Sequence, residues 1–356
     1  MDVPIELLSS LCDAYGPSGY EDEVRKLIVD EIRKFVGQFE IDTLGNVYAQ
    51  IDGAQEHPRL MLSAHMDEVG FLINYVEDSG FLRFGPIGTI DARILPAQRV
   101  ILRGKEKRFG VIGSKPPHVL TQDEMKKAVE LGGLYIDIGA SSHDEVKQLG
   151  IDVGTTGTFD VPFRKLGNGT RVIGKALDNR AGCAVALKLL ESFAKNRPGP
   201  TVIFAFTAQE ELGSRGAIVA ANRINPDAAL VFENAVAADS PDVGPRDRLL
   251  QVGHGPAVRI MDASMITQRH MLEYMVNVAQ AEHIAYQPQV NMGGKTNAGP
   301  IHLSGRGVPT GVISTPCRYL HSPSLLIDLE DLNKGLKLGE SLVRGLASMD
   351  KINYHQ

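Results

Sequence analysis

Residues 201–211 read Thr-Val-Ile-Phe-Ala-Phe-Thr-Ala-Gln-Glu-Glu, an apolar run that ends in the adjacent carboxylates Glu210 and Glu211. The run has the length and the β-branched and aromatic content of a strand buried inside a sheet. Burying one unpaired carboxylate is costly, and burying two is worse. A metal ion would remove this cost, because one carboxylate can bind the ion while its neighbour transfers protons.

Around this run the sequence alternates between helical and strand-like patterns. We predict helices at about 5–11, 24–35, 180–194, 212–221, 269–282 and 332–347, and strands at about 46–51, 59–64, 201–207, 228–232 and 308–314. Alternation of this kind favours a largely parallel or mixed sheet with helices on both faces. The predicted fold class is therefore α/β.

Between about residues 70 and 162 the pattern of apolar and turn-forming residues changes. Short β-like pieces separated by glycine and proline occupy 70–75, 81–84, 99–103, 108–112 and 157–160, and only 123–131 has helical periodicity. We expect a small β-rich domain at 70–162, inserted into a larger discontinuous domain formed by 1–69 and 163–356.

Composition narrows the class of protein further. The 356 residues suffice for a large core, and the net charge of -6 offers no basic excess for nucleic acid. Three widely spaced cysteines fit reduced thiols in a cytoplasmic protein better than a disulfide framework. The first residues lack the basic and apolar regions of a signal peptide, and no apolar run approaches the roughly 18 residues of a membrane span, so we expect neither a signal peptide nor a membrane partner.

The polar residues that follow the predicted strands suggest a metal site. Six of them are acids or histidines: His65, Asp67, Glu210, Glu211, Glu233 and His321. In α/β sheets ligands bind at the carboxyl ends of the strands, which would bring these residues together. Such ligands suit Zn²⁺, Co²⁺ or Mn²⁺. Asp178, at a loop-to-helix junction, suits a carboxylate that bridges two ions about 3.5–4 Å apart.

Simpler interpretations compete with each of these assignments. Asp178 also suits a helix N-cap, the commoner role for aspartate at that position. Glu233 has a rival in Asp239, six residues on, although Glu233 directly follows a predicted strand. Cys317 is close to His321 in sequence, but no residues that would activate a catalytic thiol are evident.

Four segments resemble the signatures of the family 42 metallo-aminopeptidases, the TET and FrvX-type glutamyl, leucyl and lysyl aminopeptidases. They are Ser63-Ala-His-Met-Asp-Glu-Val-Gly-Phe71, Ala176-Leu-Asp-Asn-Arg-Ala-Gly182, Ala208-Gln-Glu-Glu-Leu-Gly-Ser-Arg-Gly-Ala217 and Arg318-Tyr-Leu-His-Ser-Pro323. Gly16-Pro-Ser-Gly-Tyr-Glu21 and Gly293-Gly-Lys-Thr-Asn-Ala-Gly299 also match, so the resemblance covers nearly the whole chain.

The resemblance implies a sheet-and-helix catalytic domain with a dinuclear metal site and an inserted β domain for oligomerisation and substrate access. His65 and Glu233 would bind one ion and Glu211 and His321 the other, both Zn²⁺ or Co²⁺, with Mn²⁺ a further option. Asp178 would bridge the ions, Glu210 would act as general base, and Asp67 would orient His65. Short peptides would be the substrates. The protein would form homo-oligomers built from dimers, up to a tetrahedral dodecamer.

Three positions depart from the pattern of the family. Glu233 stands where the best-known members have aspartate, Lys295 where many have glycine, and Asn297 where many have aspartate. Three other functions compete with the aminopeptidase: a dinuclear deacylase or amidohydrolase, an endoglucanase, and a non-catalytic assembly protein on the same fold. A glycosidase normally uses two carboxylates and no metal, so metal dependence would argue against the endoglucanase.

Overall fold

The computed structural model describes residues 1–167, 169–346 and 348–353. In these residues an eight-stranded sheet carries helices on both faces, and a closed six-stranded barrel follows its third strand. The predicted α/β class is confirmed. No helix in the described residues has the length and apolar content that crossing a bilayer requires.

The strands of the large sheet are, in chain order, β1 (Phe39–Ile41), β2 (Val47–Ile51), β3 (Arg59–His65), β12 (Thr201–Thr207), β13 (Ala228–Val236), β14 (Ala257–Met261), β15 (Gln287–Val290) and β16 (Thr310–Cys317). Their spatial order is β1-β2-β12-β3-β13-β16-β14-β15. The four central strands, β12, β3, β13 and β16, run parallel. Their carboxyl ends therefore share one edge of the sheet.

The helices are α1 (Ile5–Asp13), α2 (Asp22–Ile32), α3 (Gln122–Met125), α4 (His143–Gln148), α5 (Leu177–Lys195), α6 (Arg215–Ile224), α7 (Arg269–Ala281), α8 (Ala298–His302) and α9 (Leu329–Gly345). Alternate residues of the central strands point to opposite faces. On β3, Leu60 and Leu62 belong to an apolar cluster that also contains residues of α1, α2, α5, α7 and α9, while Met61 belongs to a second cluster with residues of α6 and α8.

The barrel consists of β4 (Gly70–Val76), β5 (Leu82–Ile87), β6 (Arg99–Arg103), β7 (Lys107–Gly113), β8 (Tyr135–Asp137) and β9 (Thr156–Phe159). It has its own apolar core, in which Phe71 packs edge-on against Phe84 and Phe159 with ring centroids 5.2 and 5.0 Å away. A separate three-stranded sheet joins β10 (Arg164–Leu166), β11 (Arg171–Gly174) and β17 (Leu325–Asp328).

Several predicted element boundaries are wrong. The helix expected at 123–131 is only the single turn of α3, because its residues are exposed and have no core to cover. The helix expected from residue 212 begins at Arg215, after a turn with positive φ at Gln209, Gly213 and Ser214. The last helix ends at Gly345, and Ala347, included in the prediction, lies outside the described residues.

Candidate active site

The predicted site residues meet at the carboxyl edge of the central strands. His65 ends β3, Glu233 lies near the end of β13, and Glu210 and Glu211 occupy the turn after β12. The parallel register sets His65 beside Thr207, the last residue of β12. His321 follows β16 in a loop where its own φ is 56°. Side chains far apart in sequence thus converge because the strands run parallel.

Asp178 reaches the same place from the start of α5. Asp178 and Asn179 have non-helical backbone angles, so the regular helix begins only after them. The Asp178 carboxylate directs Oδ1 to His65 Nε2, at 3.4 Å, and Oδ2 to His321 Nε2, at 3.5 Å. It therefore lies between the two histidines.

Two groups of three side chains share Asp178. In the first, His65 and Asp178 join Glu233, whose Oε1 is 3.3 Å from His65 Nε2. In the second, Asp178 and His321 join Glu211, whose Oε1 is 3.3 Å from His321 Nε2. Within each group one ligand atom per residue lies within 4.8 Å of the others. Each group has the size and the donor types of a metal site.

Glu210 completes a third group with His65 and Glu211. Its Oε1 accepts a hydrogen bond from Ser214 Oγ at 2.9 Å. Burial, together with the nearby charges of Glu233 and Glu211, raises the pKa of Glu210 well above its ordinary value, although His65 opposes the shift. Its carboxylate is thus close to both shared groups and has an elevated proton affinity.

Asp67 is fully buried, and it contacts other residues besides His65, the histidine that the sequence predicted it to orient. Its backbone carbonyl and Oδ1 lie 3.2 and 3.4 Å from His65 Nδ1. Its carboxylate also accepts hydrogen bonds from the backbone N–H groups of Glu210 (2.9 Å) and Glu211 (3.0 Å) and from Ser18 Oγ (2.6 Å). Although burial opposes ionisation, His65 and these donors lower the pKa of Asp67. Asp67 therefore connects β3 with the turn that carries both glutamates.

The histidines and the acids of the site perturb one another strongly. Burial disfavours a charged His65, but Glu233, Asp178 and Asp67 raise its pKa well above the ordinary value. For His321, Asp178 and Glu211 overcome burial and raise the pKa to about 11. Burial raises the pKa of Glu233 to about 7, although His65 opposes the change.

The residues present fit metal ions. Five carboxyl groups (Asp67, Asp178, Glu210, Glu211, Glu233) surround two imidazoles, an excess of acidic groups that bound cations can compensate. Glu233 Oε2 is buried and has no hydrogen-bond partner among the described residues. A buried acceptor without a partner is costly unless a cation compensates it. An α/β sheet with such groups at the carboxyl ends of its strands has the donors of a metal centre at that edge.

The remaining sequence candidates lie elsewhere or play other parts. Asp239 forms a bidentate ion pair with Arg318, at 2.7 and 2.6 Å, and belongs to none of the three groups. Cys317 is buried, and burial raises the pKa of its thiol, which disfavours a reactive thiolate. Asn297 is buried and donates to Thr207 Oγ1 at 2.8 Å. Lys295 lines the cavity over the site, which has a volume of about 680 Å³.

Sequence reasoning missed several residues around this cavity. Arg259 lines it and pairs with Asp262 at 2.9 Å, and Ser214 contacts Glu210. Ser18 contacts Asp67 from the N-terminal segment. Ser18 and Ser214 both belong to motifs that the sequence had already singled out, whereas the position of Arg259 depends on contacts between distant elements.

Comparison with known proteins identifies the family. A family model described as M42 glutamyl aminopeptidase matches residues 45–338. The chain is 31% identical to the lysyl aminopeptidase of Pyrococcus furiosus over 350 residues, which cover 97% of this chain and 98% of that protein. The chain belongs to the M42 family and is a metal-dependent aminopeptidase, as its motifs predicted.

Solved structures agree with this assignment. The TET aminopeptidase of the marine sediment archaeon Thaumarchaeota archaeon SCGC AB-539-E09 matches with a TM-score of 0.94 and 36% identity, covering 98% of this chain and 97% of that one. The TET1 peptidase of Pyrococcus horikoshii matches with a TM-score of 0.86 and 34% identity, covering 96% and 99%. That peptidase can assemble into a tetrahedron or a large octahedral shell.

Proposed function

We propose that the chain removes the N-terminal residue of short peptides at a centre of two divalent metal ions, with Glu210 as general base. The observation that carries this proposal is the pair of His–carboxylate groups that share Asp178. His65 and Glu233 would hold one ion, Glu211 and His321 would hold the other, and Asp178 would be a ligand common to both. The donors suit Zn²⁺ or Co²⁺, with Mn²⁺ as a further option.

Divalent ions bound there supply Lewis acidity, which polarises the scissile carbonyl and makes water more acidic. Glu210 does the proton transfer. Its carboxylate takes a proton from the attacking water and then gives that proton to the leaving amine, so the base is regenerated. Burial and the neighbouring carboxylates raise the pKa of Glu210, which favours a side chain that accepts a proton.

The remaining residues of the site hold these groups in place. Ser214 Oγ donates to Glu210 Oε1 and leaves Glu210 Oε2 free of that contact. Asp67 orients His65 and holds the backbone of both glutamates. The free α-amino group of the substrate is bound by acidic side chains beside the metal centre. A charged amine next to these carboxylates gives the enzyme its requirement for an unblocked N-terminus.

The barrel suits a role in assembly. In this proposal residues 70–162 form an inserted domain that contributes to oligomerisation and controls substrate access, within dimers that build a tetrahedral dodecamer. Large apolar side chains on its surface support this, since Tyr75 is 57% exposed and Phe109 is 66% exposed. The mass of the native particle, measured for the parent and for Phe109→Lys, tests it. A single-chain parent particle contradicts it.

One assay separates the proposed activity from its rivals. The substrates are leucyl-anilide, its N-acetylated form and a soluble glucan, each with and without a chelator. We expect chelator-sensitive hydrolysis of the free aminoacyl-anilide alone. Cleavage of the acetylated compound would support an amidohydrolase, and chelator-insensitive cleavage of the glucan would support an endoglucanase. Full metal occupancy without hydrolysis of any substrate would favour a non-catalytic assembly protein.

A further inference from the structure

The segment Gly16–Glu21, here called the N-terminal loop, connects α1 to α2 and contacts the turn that carries the paired glutamates. Ser18 is 3% exposed and Glu21 is 1% exposed, so both side chains are buried although they lie in a loop. Neither belongs to the His–carboxylate groups of the site. Buried polar side chains in a loop require specific partners.

Ser18 contacts the residue that holds the glutamates. Its Oγ donates to Asp67 Oδ2 at 2.6 Å. Asp67 Oδ2 also accepts a hydrogen bond from the backbone N–H of Glu211 at 3.0 Å. Asp67 Oδ1 accepts the backbone N–H of Glu210 at 2.9 Å. The Ser18 hydroxyl therefore fixes the rotation of the carboxylate on which both glutamate N–H groups depend.

Glu21 contacts the same turn at Gln209, the residue before Glu210. Its Oε1 accepts the backbone N–H of Gln209 at 3.1 Å and that of Gly19 at 2.7 Å. Gln209 has a φ of 55°, a left-handed conformation that is strained for a residue with a side chain. Such strain persists only where surrounding contacts enforce it. The Glu21 carboxylate supplies one of these contacts.

The loop is itself tied to the frame of the site. Gly16 and Glu68 exchange hydrogen bonds, from the Gly16 N–H to Glu68 Oε1 and from the Glu68 N–H to the Gly16 carbonyl, both at 3.0 Å. Glu68 pairs in turn with Lys175, at 2.8 Å, and both side chains are buried. Because Glu68 follows β3 closely and Lys175 precedes α5, the loop moves with the strand and the helix that position His65 and Asp178.

We infer that the N-terminal loop is a positioning element of the aminopeptidase site, in which Ser18 and Glu21 hold the Gln209–Glu211 turn in its working geometry. The inference rests on the proposed role of Glu210 as base. Both side chains act through other residues, Ser18 through Asp67 and Glu21 through the Gln209 backbone. Removing either contact displaces the base and lowers kcat, while the cavity walls that other elements contribute keep their shape.

The kinetic test compares Ser18→Ala with Ser18→Thr, and Glu21→Ala with Glu21→Gln, in the metal-loaded enzyme with bound metal quantified. Ser192→Ala is the matched control, because Ser192 Oγ donates to the Glu340 carboxylate at 2.7 Å on the far part of α5. We expect each alanine variant of the loop to lose roughly 10- to 100-fold in kcat with KM within about 2-fold of the parent. Ser18→Thr and Glu21→Gln, which keep the hydroxyl and the accepting oxygen, restore kcat.

Backbone amide exchange of residues 208–214 gives a readout that does not depend on activity. We expect the Glu210 and Glu211 amides to exchange faster in Ser18→Ala than in the parent, with no change in Ser192→Ala. Parental kcat and parental exchange in Ser18→Ala would overturn the inference, as would equal losses in Ser18→Ala and Ser192→Ala. A parent that cleaves no aminoacyl-anilide would instead refute the proposed function, and the exchange data would still decide the role of the loop.

Discussion

The Asp178 carboxylate lies between two histidines, with Oδ2 3.5 Å from His321 Nε2 and Oδ1 3.4 Å from His65 Nε2. Sequence alone left Asp178 open as a helix N-cap or a bridging ligand. Its oxygens face the imidazoles, and its own backbone is not yet helical. This arrangement suits the proposed role of Asp178 as one ligand shared by two ions.

A shared ligand and an unshared ligand should differ in their effect on metal content. We predict that Asp178→Asn lowers the affinity for both ions, each by at least about 10-fold. Replacing a residue that only hydrogen-bonds to a metal ligand already lowers metal affinity by about that factor. Glu233→Gln should weaken only one. Metal analysis after dialysis against buffered metal measures both stoichiometries. Loss of a single ion from Asp178→Asn would contradict the bridging assignment.

Asp239, the sequence rival of Glu233, should affect stability and leave metal content unchanged. Although burial opposes ionisation, the bonds from Arg318 lower the pKa of Asp239. A lowered carboxyl pKa contributes stability that is present above the unfolded value, about 3.9, and is lost as pH falls through the folded value. We predict that Asp239→Asn lowers the free energy of unfolding by about 1–3 kcal/mol at pH 7.

Urea unfolding of the metal-stripped parent and variant, at pH 7 and at pH values below 4, measures this difference. The gap between the two proteins should narrow as the pH falls. A constant gap would show that the ion pair with Arg318 is not its source. A lower metal content in Asp239→Asn would return Asp239 to the list of ligands.

The walls of the cavity predict a preference for the first side chain of the substrate. Apart from the acids and histidines of the proposed metal centre, the charged residues lining it are Arg259 and Lys295. Asp262 already pairs with Arg259, whereas Lys295 has no carboxylate within ion-pair distance among the described residues. We therefore predict that glutamyl and aspartyl substrates are preferred over lysyl and arginyl ones.

Lys295→Met should lower kcat/KM for glutamyl-anilide by roughly 2- to 5-fold, the range of a partly exposed ion pair. Lys295→Glu should shift the preference toward lysyl-anilide. Leucyl-anilide is the control substrate, and its kcat/KM should stay near the parental value in both variants. Equal changes for all three substrates would show that Lys295 shapes the cavity without selecting charge.

Sequence patterns could predict the central part of the fold. The run 201–207 becomes the buried strand β12, and residues that follow parallel strands must meet at one edge. That rule alone brings His65, Glu210 and Glu233 together. The strand β14 and its neighbour β15, which lies at the edge of the sheet, were not predicted, because they are short and their pattern differs little from that of loops.

Contacts between distant segments could not be predicted in the same way. Ser18 meets Asp67 across 49 positions and Glu21 meets Gln209 across 188. Nothing in the local sequence at either end specifies the other partner. The helix expected at 123–131 failed for a related reason, since its periodicity has no neighbouring core against which to pack.

The central claim is that Glu210 transfers protons and does not hold a metal ion. Glu210→Gln keeps the size of the side chain and its contact with Ser214 but removes the base. The decisive measurement is kcat on leucyl-anilide together with bound metal per chain. We predict two ions retained and kcat lowered by about 10²- to 10⁴-fold. Activity near the parental value with both ions bound would contradict the claim, and so would loss of an ion, which would make Glu210 a ligand.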